Sequence, residues 1–249
     1  MSAPATMPAE RGSAPSRGAW LREVWHSSIG KKVIVAITGF VLVLYVIAHM
    51  IGNLKAFQGA GAGADGPAID HYAEWLRDVG EPVIPHEGVL WAVRVLLLAC
   101  FVIHIVGVVQ LHAGRNRTAR PAGYPAPKIQ RSLASRTMLW GGLFLLAFVI
   151  FHILHFTTGT IDPGAFAQGA VYHNLEEAFA SPFFLLIYVA AATVLGFHLY
   201  HSVWSSVQTA GWDKPNRNPT FRRASTFIAF AVAIGFAAMP IAFFTGVLG

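Results

Sequence analysis

Five separate runs of about twenty apolar residues constrain this chain more than any other feature, because a helix of that length spans the roughly 30 Å hydrocarbon core of a bilayer. They cover residues 33–52, 89–111, 138–158, 182–207 and 226–248. Inside hydrocarbon every backbone polar group must find its partner within the segment, so each run is predicted to be a helix. The expected fold is an all-α integral membrane protein: five transmembrane helices forming one bundle over residues 30–249, after a cytoplasmic N-terminal tail and interfacial segment of residues 1–29. Composition agrees. Only 12% of the 249 residues are charged and 55% are hydrophobic, against about 25% charged in a soluble domain. The first 29 residues have no apolar core, and the first apolar run is too long for a signal-peptide core, so it reads as a retained helix.

Charge distribution predicts the orientation, because Lys and Arg collect on the cytoplasmic side. The N-terminal segment carries Arg11, Arg17, Arg22, Lys31 and Lys32. The second-to-third connection carries Arg115, Arg117, Arg120, Lys128, Arg131 and Arg136, and the fourth-to-fifth carries Lys214, Arg217, Arg222 and Arg223. The first-to-second connection instead sets Asp65, Asp70, Glu74, Asp78, Glu81 and Glu87 against Lys55 and Arg77, and the third-to-fourth has only Asp162, Glu176 and Glu177. The N-terminus is expected in the cytoplasm and the C-terminus outside. This topology accounts for the formal charge of +6, so no nucleic-acid partner is implied.

Histidine inside the apolar runs is the second signal, since ionisable groups at membrane depth are costly and mark functional sites. His49 lies in the first run, His104 in the second, His152 and His155 in the third, His198 and His201 in the fourth. Cys100 is the only cysteine; the chain can form no internal disulfide and cannot alone supply the thiolates of an iron–sulfur cluster. A redox centre held here must be bound by histidine. At 1.5 Å per residue from the cytoplasmic end, His49 stands roughly 27 Å up and His152 roughly 22 Å, with His104 and His198 at about 12 and 15 Å. The depths predict two bis-histidine haems b, an outer one on His49 and His152 and an inner one on His104 and His198, with irons roughly 10 Å apart along the normal. By depth alone His155 suits the outer site and His201 the inner one equally well, each lying one turn from a candidate. His26, His86, His112 and His173 fall at membrane ends or in connections and read as interfacial residues.

The residues around these histidines carry a resemblance. Ser27-Ser28-Ile29-Gly30-Lys31-Lys32, then Thr38-Gly39, then His49-Met50-Ile51-Gly52-Asn53-Leu54 resemble the cytochrome b membrane-anchor subunit of succinate dehydrogenase, in its single-chain, five-helix, two-haem class that serves menaquinone. Phe151-His152-Ile153-Leu154 with Thr157-Thr158-Gly159-Thr160 continues the match, as does Gly196-Phe197-His198 with Trp204-Ser205 and Thr209-Ala210-Gly211. The likeness runs from about Trp25 to the end. It selects His49, four residues before Asn53, and His198, six before Trp204. It also selects His152, which follows the Phe148-Val149 pair. His104 is the only deep histidine on the second helix. The family pairs first helix with third and second with fourth, as the depths do.

The resemblance implies a respiratory-chain subunit of the bacterial plasma membrane, linked to the tricarboxylic acid cycle. It would anchor a flavoprotein and an iron–sulfur subunit on the cytoplasmic face and pass electrons through two haems b to menaquinone, with succinate oxidised in the partner chains. It leaves room for a small further membrane subunit and for trimers of the complex. Some fumarate-reducing relatives carry a Glu two residues before the fourth-helix ligand for proton movement; here that residue is Gly196, so that route is not assigned.

Arg94, about two turns into the second helix from the outer side, suits a haem propionate, a bidentate anion; the plainer reading is snorkelling to the interface. Quinone-site candidates fall in two places: His71, Tyr72, Glu74, Trp75 and Arg77 in a short amphipathic stretch of the first connection, with Glu81 and Glu87 beyond; and Trp25, His26, Ser27 and Ser28 at the cytoplasmic end. The outer location is favoured, since two haems serve to carry electrons across. Lys31, Lys32, Arg131, Arg136, Arg222 and Arg223 are candidates for docking the iron–sulfur partner, although topology alone explains them. Gly141, Gly142 and the small residues 190–193 would permit close helix approach or room for a macrocycle. The fifth helix, without histidine, reads as structural cover. Three other readings compete: the cytochrome b of a hydrogenase or formate dehydrogenase, a histidine-lined metal or proton transporter, and an anchor that has lost haem. The absence of Asp and Glu from the apolar runs counts against the transporter.

Overall fold

The computed structural model describes residues 17–59, 66–117, 133–162, 164, 166–214 and 218–248. Arg11, Asp65, Arg120, Lys128, Arg131 and Arg217 lie outside the described residues. The described residues form helices and connections with no strand. Five helices are long and apolar enough to cross a membrane: α2 (Ser28–Asn53), α4 (Gly88–Arg117), α5 (Leu133–Phe156), α7 (Pro182–Thr209) and α8 (Asn218–Phe244). Three short helices join them, α1 (Arg17–His26), α3 (Ala68–Asp78) and α6 (Val171–Ala180), and a 3₁₀ turn, Leu54–Gln58, follows α2. The long helices extend a turn or more past several of the apolar runs, because polar residues at helix ends sit at headgroup level and need not break the backbone ladder.

The N-terminal segment holds an ordered helix next to the membrane-spanning part. Residues 17–26 form α1, which packs on α2. Ser27 makes the junction: its Oγ accepts from the Gly30 amide at 2.8 Å and donates to the Val24 carbonyl at 3.0 Å. A side chain on Gly30 would overlap the Val24 carbonyl, so glycine is what lets the two helices meet.

Contacts between helices fix their directions. On α2 and α4, Gly39 faces His104 while Val35 faces Gly107. On α5 and α7, Gly142 faces His198 while Phe148 meets Tyr188 and His155 meets Phe184. On α7 and α8, Arg222 lies over Trp204 at 4.7 Å and Phe179, just before α7, meets Phe243. Each pair is antiparallel. Met50 packs on Gly235 and Ala56 joins the cluster around Ala242, so α2 and α8 run the same way. Thus α2, α5 and α8 ascend and α4 and α7 descend, with the end where α2 begins called the lower end.

The tightest seam is α7 against α8, where a Cβ on Gly196 would lie 2.9 Å from the Ala233 Cβ. Here glycine and alanine replace bulk with backbone approach, the usual basis of helix association in lipid. Most large apolar side chains on the outer faces, including Phe40, Leu98, Trp140, Leu186 and Phe227, are exposed, as expected of surfaces that meet acyl chains.

At the upper end α3, α6, the 3₁₀ turn and the chain terminus form a cap over the helices. Ala56, Ile69, Tyr172, Leu175, Phe179, Met239 and Phe243 make its buried core. The Asp70 carboxylate accepts from the Tyr172 amide at 2.8 Å, placing a negative group on the first turn of α6, where the helix dipole favours it. The Tyr172 hydroxyl donates to the Leu248 carbonyl; burial, helped by the nearby Glu176 charge, pushes its phenol up, so it keeps the proton it donates. Asn174 closes a two-bond clamp on Ala167, both contacts 2.8 Å.

Candidate metal centres between two helix hairpins

His49 and His152 each lie one turn from the upper end of α2 and α5. Their ring centres are 5.9 Å apart with planes at 75°. Two imidazoles on opposite sides of one metal ion, each bonded at about 2 Å, hold their ring centres about 6 Å apart. His49 is also stacked on Tyr45 at 5.5 Å and flanked by Phe236 of α8 at 5.8 Å. Phe148 is stacked on His152 at 5.9 Å. The surroundings are apolar and aromatic, suited to a flat macrocycle.

His104 of α4 and His198 of α7 share the lower level, His104 against Gly39 of α2 and His198 against Gly142 of α5. His104 Nδ1 lies 3.2 Å from the Val35 carbonyl and 3.4 Å from Thr38 Oγ1. A carbonyl can only accept, so Nδ1 carries the proton and Nε2 keeps the lone pair a metal needs. Thr38 Oγ1 in turn donates to the Ile34 carbonyl at 2.8 Å. His198 Nδ1 is buried with no hydrogen-bond partner among the described residues. Its ring opens on an apolar cavity of about 340 Å³ between α5 and α7, lined also by Met138, Trp140, Gly141, Phe144 and Val194. A half-buried imidazole whose Nδ1 is buried and unpartnered among the described residues, lining apolar space, fits a cofactor with a flat hydrophobic body and a metal centre.

Glycines face both lower histidines. A Cβ on Gly39 would lie 3.1 Å from His104 Cε1, a tight approach, whereas one on Gly142 would lie 4.0 Å from His198 Cε1, an ordinary contact. Gly39 is ten residues below His49, and Gly142 ten below His152, so the two levels are about 15 Å apart along the helices. Counting helix rise from sequence predicts roughly 10 Å. The difference arises because that count fixes each helix start by its apolar run, whereas packing sets the true register.

The correspondence goes further. Gly39, Tyr45 and His49 on α2 recur at the same spacing as Gly142, Phe148 and His152 on α5, and Arg94 and His104 on α4 recur as Tyr188 and His198 on α7. The α2–α3–α4 and α5–α6–α7 segments are two like hairpins, each with a short helix in its upper connection. This signal was present in the sequence, but short spacings stand out only when the contacts show which residues correspond.

The alternates are placed differently. His155 is buried, 4.4 Å from both Phe156 and Phe184 by ring centres. His201 is half-buried, one turn below His198. Arg94 is exposed and lies over the Trp91 ring at 4.9 Å, within electrostatic reach of Tyr45.

The upper quinone candidates gather on α3. Tyr72 packs on Gly52 and stacks with Trp75 at 5.8 Å, and the Lys55 amine lies 5.4 Å from its ring centre. His71 and Glu74 are exposed, 3.9 Å apart. Arg77 pairs with Glu87 at 3.3 Å. At the lower end Ser27 caps α2, Trp25 is half-buried and Ser28 exposed. Asp78, Glu81 and His86 form an exposed cluster in which His86 Nδ1 meets both carboxylates at 3.2 and 3.1 Å. Sequence reasoning missed Gly39 as the seat of His104, Gly235 behind Met50, and Tyr188.

No protein-family model, no curated protein and no solved structure matches the chain.

Proposed function

We propose that the chain is the membrane-anchor and electron-transfer subunit of a succinate dehydrogenase that reduces menaquinone, set in the bacterial plasma membrane with its lower end in the cytoplasm. One observation carries the reading: four histidines from four helices lie at two levels, with His49 and His152 5.9 Å apart by ring centres at the upper one and, at the lower one, His104 held by a carbonyl that leaves its Nε2 free. Haem b bound at each pair would supply a one-electron carrier.

The chain's own residues have definable tasks in this reading. His49 and His152 present imidazoles from α2 and α5, and His104 and His198 from α4 and α7. Val35 and Thr38 fix one tautomer. Tyr45, Phe148 and Phe236 exclude water around the upper pair. Arg94 is the candidate partner of a propionate, and Tyr72 and Trp75 with His71 and Glu74 the candidate quinone contacts near the upper level. Lys31, Lys32, Arg222 and Arg223 are exposed or half-exposed at the lower end, where an iron–sulfur subunit with its flavoprotein would dock. A transporter would need carboxylates in its path, and the five long helices contain no Asp or Glu.

The test is a reduced-minus-oxidised spectrum of the purified chain or complex, with pyridine haemochrome quantitation per polypeptide. Two haems b per chain are expected. His49→Ala and His152→Ala should each remove the same spectral component, and His104→Ala and His198→Ala the other. Protein free of haem, made with ample haem supply, overturns the reading.

A further inference from the structure

The Tyr188 hydroxyl lies between two histidines of α5, 3.3 Å from His152 Nδ1 and 3.1 Å from His155 Nδ1. A phenol has one proton to give. Its oxygen makes no other hydrogen bond among the described residues, so the arrangement that leaves no buried polar hydrogen unpaired has it donate to one imidazole and accept from the other. The two rings then take opposite tautomers. The ring that donates carries its proton on Nδ1 and has a free lone pair on Nε2; the ring that accepts carries its proton on Nε2 and has no lone pair left for a metal.

The surroundings decide which is which. His152 faces His49 at 5.9 Å. His155 meets Phe156 and Phe184 at 4.4 Å each and also lines a small cavity with Asp162, whose carboxylate suits an N–H donor. Tyr188 itself is fixed by edge-on contacts with Phe148, Phe156 and Phe179 at 5.1 to 5.5 Å.

We propose that Tyr188 is a positioning residue that makes His152 the metal-binding histidine of α5 and His155 its non-ligating neighbour, through the directed chain His152 Nδ1–H to Tyr188 oxygen and Tyr188 O–H to His155 Nδ1. The inference rests on the reading of His49 and His152 as an iron-binding pair for its consequence, but the tautomer split stands on the hydroxyl geometry alone. An acceptor on the distal nitrogen of a ligating imidazole raises the basicity of that ligand and favours the oxidised metal.

Two measurements test it separately. Nitrogen-15 NMR of the full chain in lipid without haem, with His152 and His155 identified by single substitution, should show one Nδ1–H and one Nε2–H imidazole. Tyr188→Phe should abolish that fixed division. Two rings of the same tautomer in the unaltered chain overturn the proposal whether or not haem binds. In the haem-loaded chain, Tyr188→Phe should shift the potential of one haem component to more positive values and move its low-spin electron paramagnetic resonance signal, leaving the other component alone. His155→Leu should keep both haems. Potentials and signals identical to the unaltered protein in Tyr188→Phe, or loss of a haem component in His155→Leu, overturn the proposal while leaving the two-haem reading intact. A chain that takes up no haem removes that reading instead.

Discussion

A histidine in a membrane helix is defined by what lies against it, and at His104 that neighbour is a missing side chain. A Cβ on Gly39 would lie 3.1 Å from His104 Cε1 and 3.4 Å from Nδ1, tight enough that the ring would have to give way by a few tenths of an ångström. The ring is meanwhile tied to Val35 and Thr38 of the same helix. Gly39→Val adds two further methyl groups there, an overpacking change of about 1–3 kcal/mol. On the proposed reading its expected effect is loss or displacement of the haem component assigned to His104 and His198, with the component assigned to His49 and His152 kept; a difference spectrum showing both components unchanged would sink the seating role. The four histidines were legible from sequence because an ionisable group at such depth has few innocent explanations. Gly39 was visible only as half of a Thr-Gly pair, since its task depends on the register of α4. Tyr188 was hidden for another reason: a tyrosine in an apolar run looks like any interfacial or core aromatic until its hydroxyl is seen between two imidazoles.

Among the elements, α8 does more than cover the bundle. It lacks histidine, as the sequence shows, yet Gly235 accommodates Met50 and Phe236 flanks His49, so one face of the upper pair belongs to it. Its seam with α7 passes through Gly196, where a Cβ would come within 2.9 Å of Ala233. That contact also gives a physical reason why a glutamate is absent here: the position has no room for a side chain. Gly196→Leu should therefore separate α7 from α8, at a cost of about 1–3 kcal/mol, and lower the midpoint of thermal unfolding in detergent. Because His198 lies two residues along the same helix, the proposed function adds that haem retention should fall as well. A variant with the melting midpoint and haem content of the parent would mean the seam can relax, and that Gly196 is not a packing residue. The long helices were readable in sequence because their length and apolarity have one solution in a bilayer. The short α6 was not, since its buried residues Tyr172, Leu175 and Phe179 face the distant chain end and α8, partners that only the tertiary structure supplies.

For the whole molecule, the two like hairpins put short helices and acidic connections at one end and the basic helix termini at the other. α2 and α8 begin, and α7 ends, at the lower level with Lys31, Lys32, Lys214, Arg222 and Arg223; Asp70, Glu74, Asp78, Glu81 and Glu87 lie at the upper level. Cytoplasmic retention of Lys and Arg predicts a lower end that lies inside, which the proposed function also needs, because the iron–sulfur partner would meet His104 and His198 first. The single cysteine permits a direct test. Cys100 is buried, and replacing it by Ala leaves a chain into which one thiol at a time can be placed. Glu81 and Lys214 are both exposed, at opposite ends. In intact right-side-out vesicles a membrane-impermeant maleimide should label Glu81→Cys, and should reach Lys214→Cys only after the membrane is opened. The reverse pattern would invert the molecule, bringing the pair of His49 and His152 to the cytoplasmic side; in the proposed function the order in which electrons would meet the two levels, and the side on which quinone would be reduced, would both reverse with it.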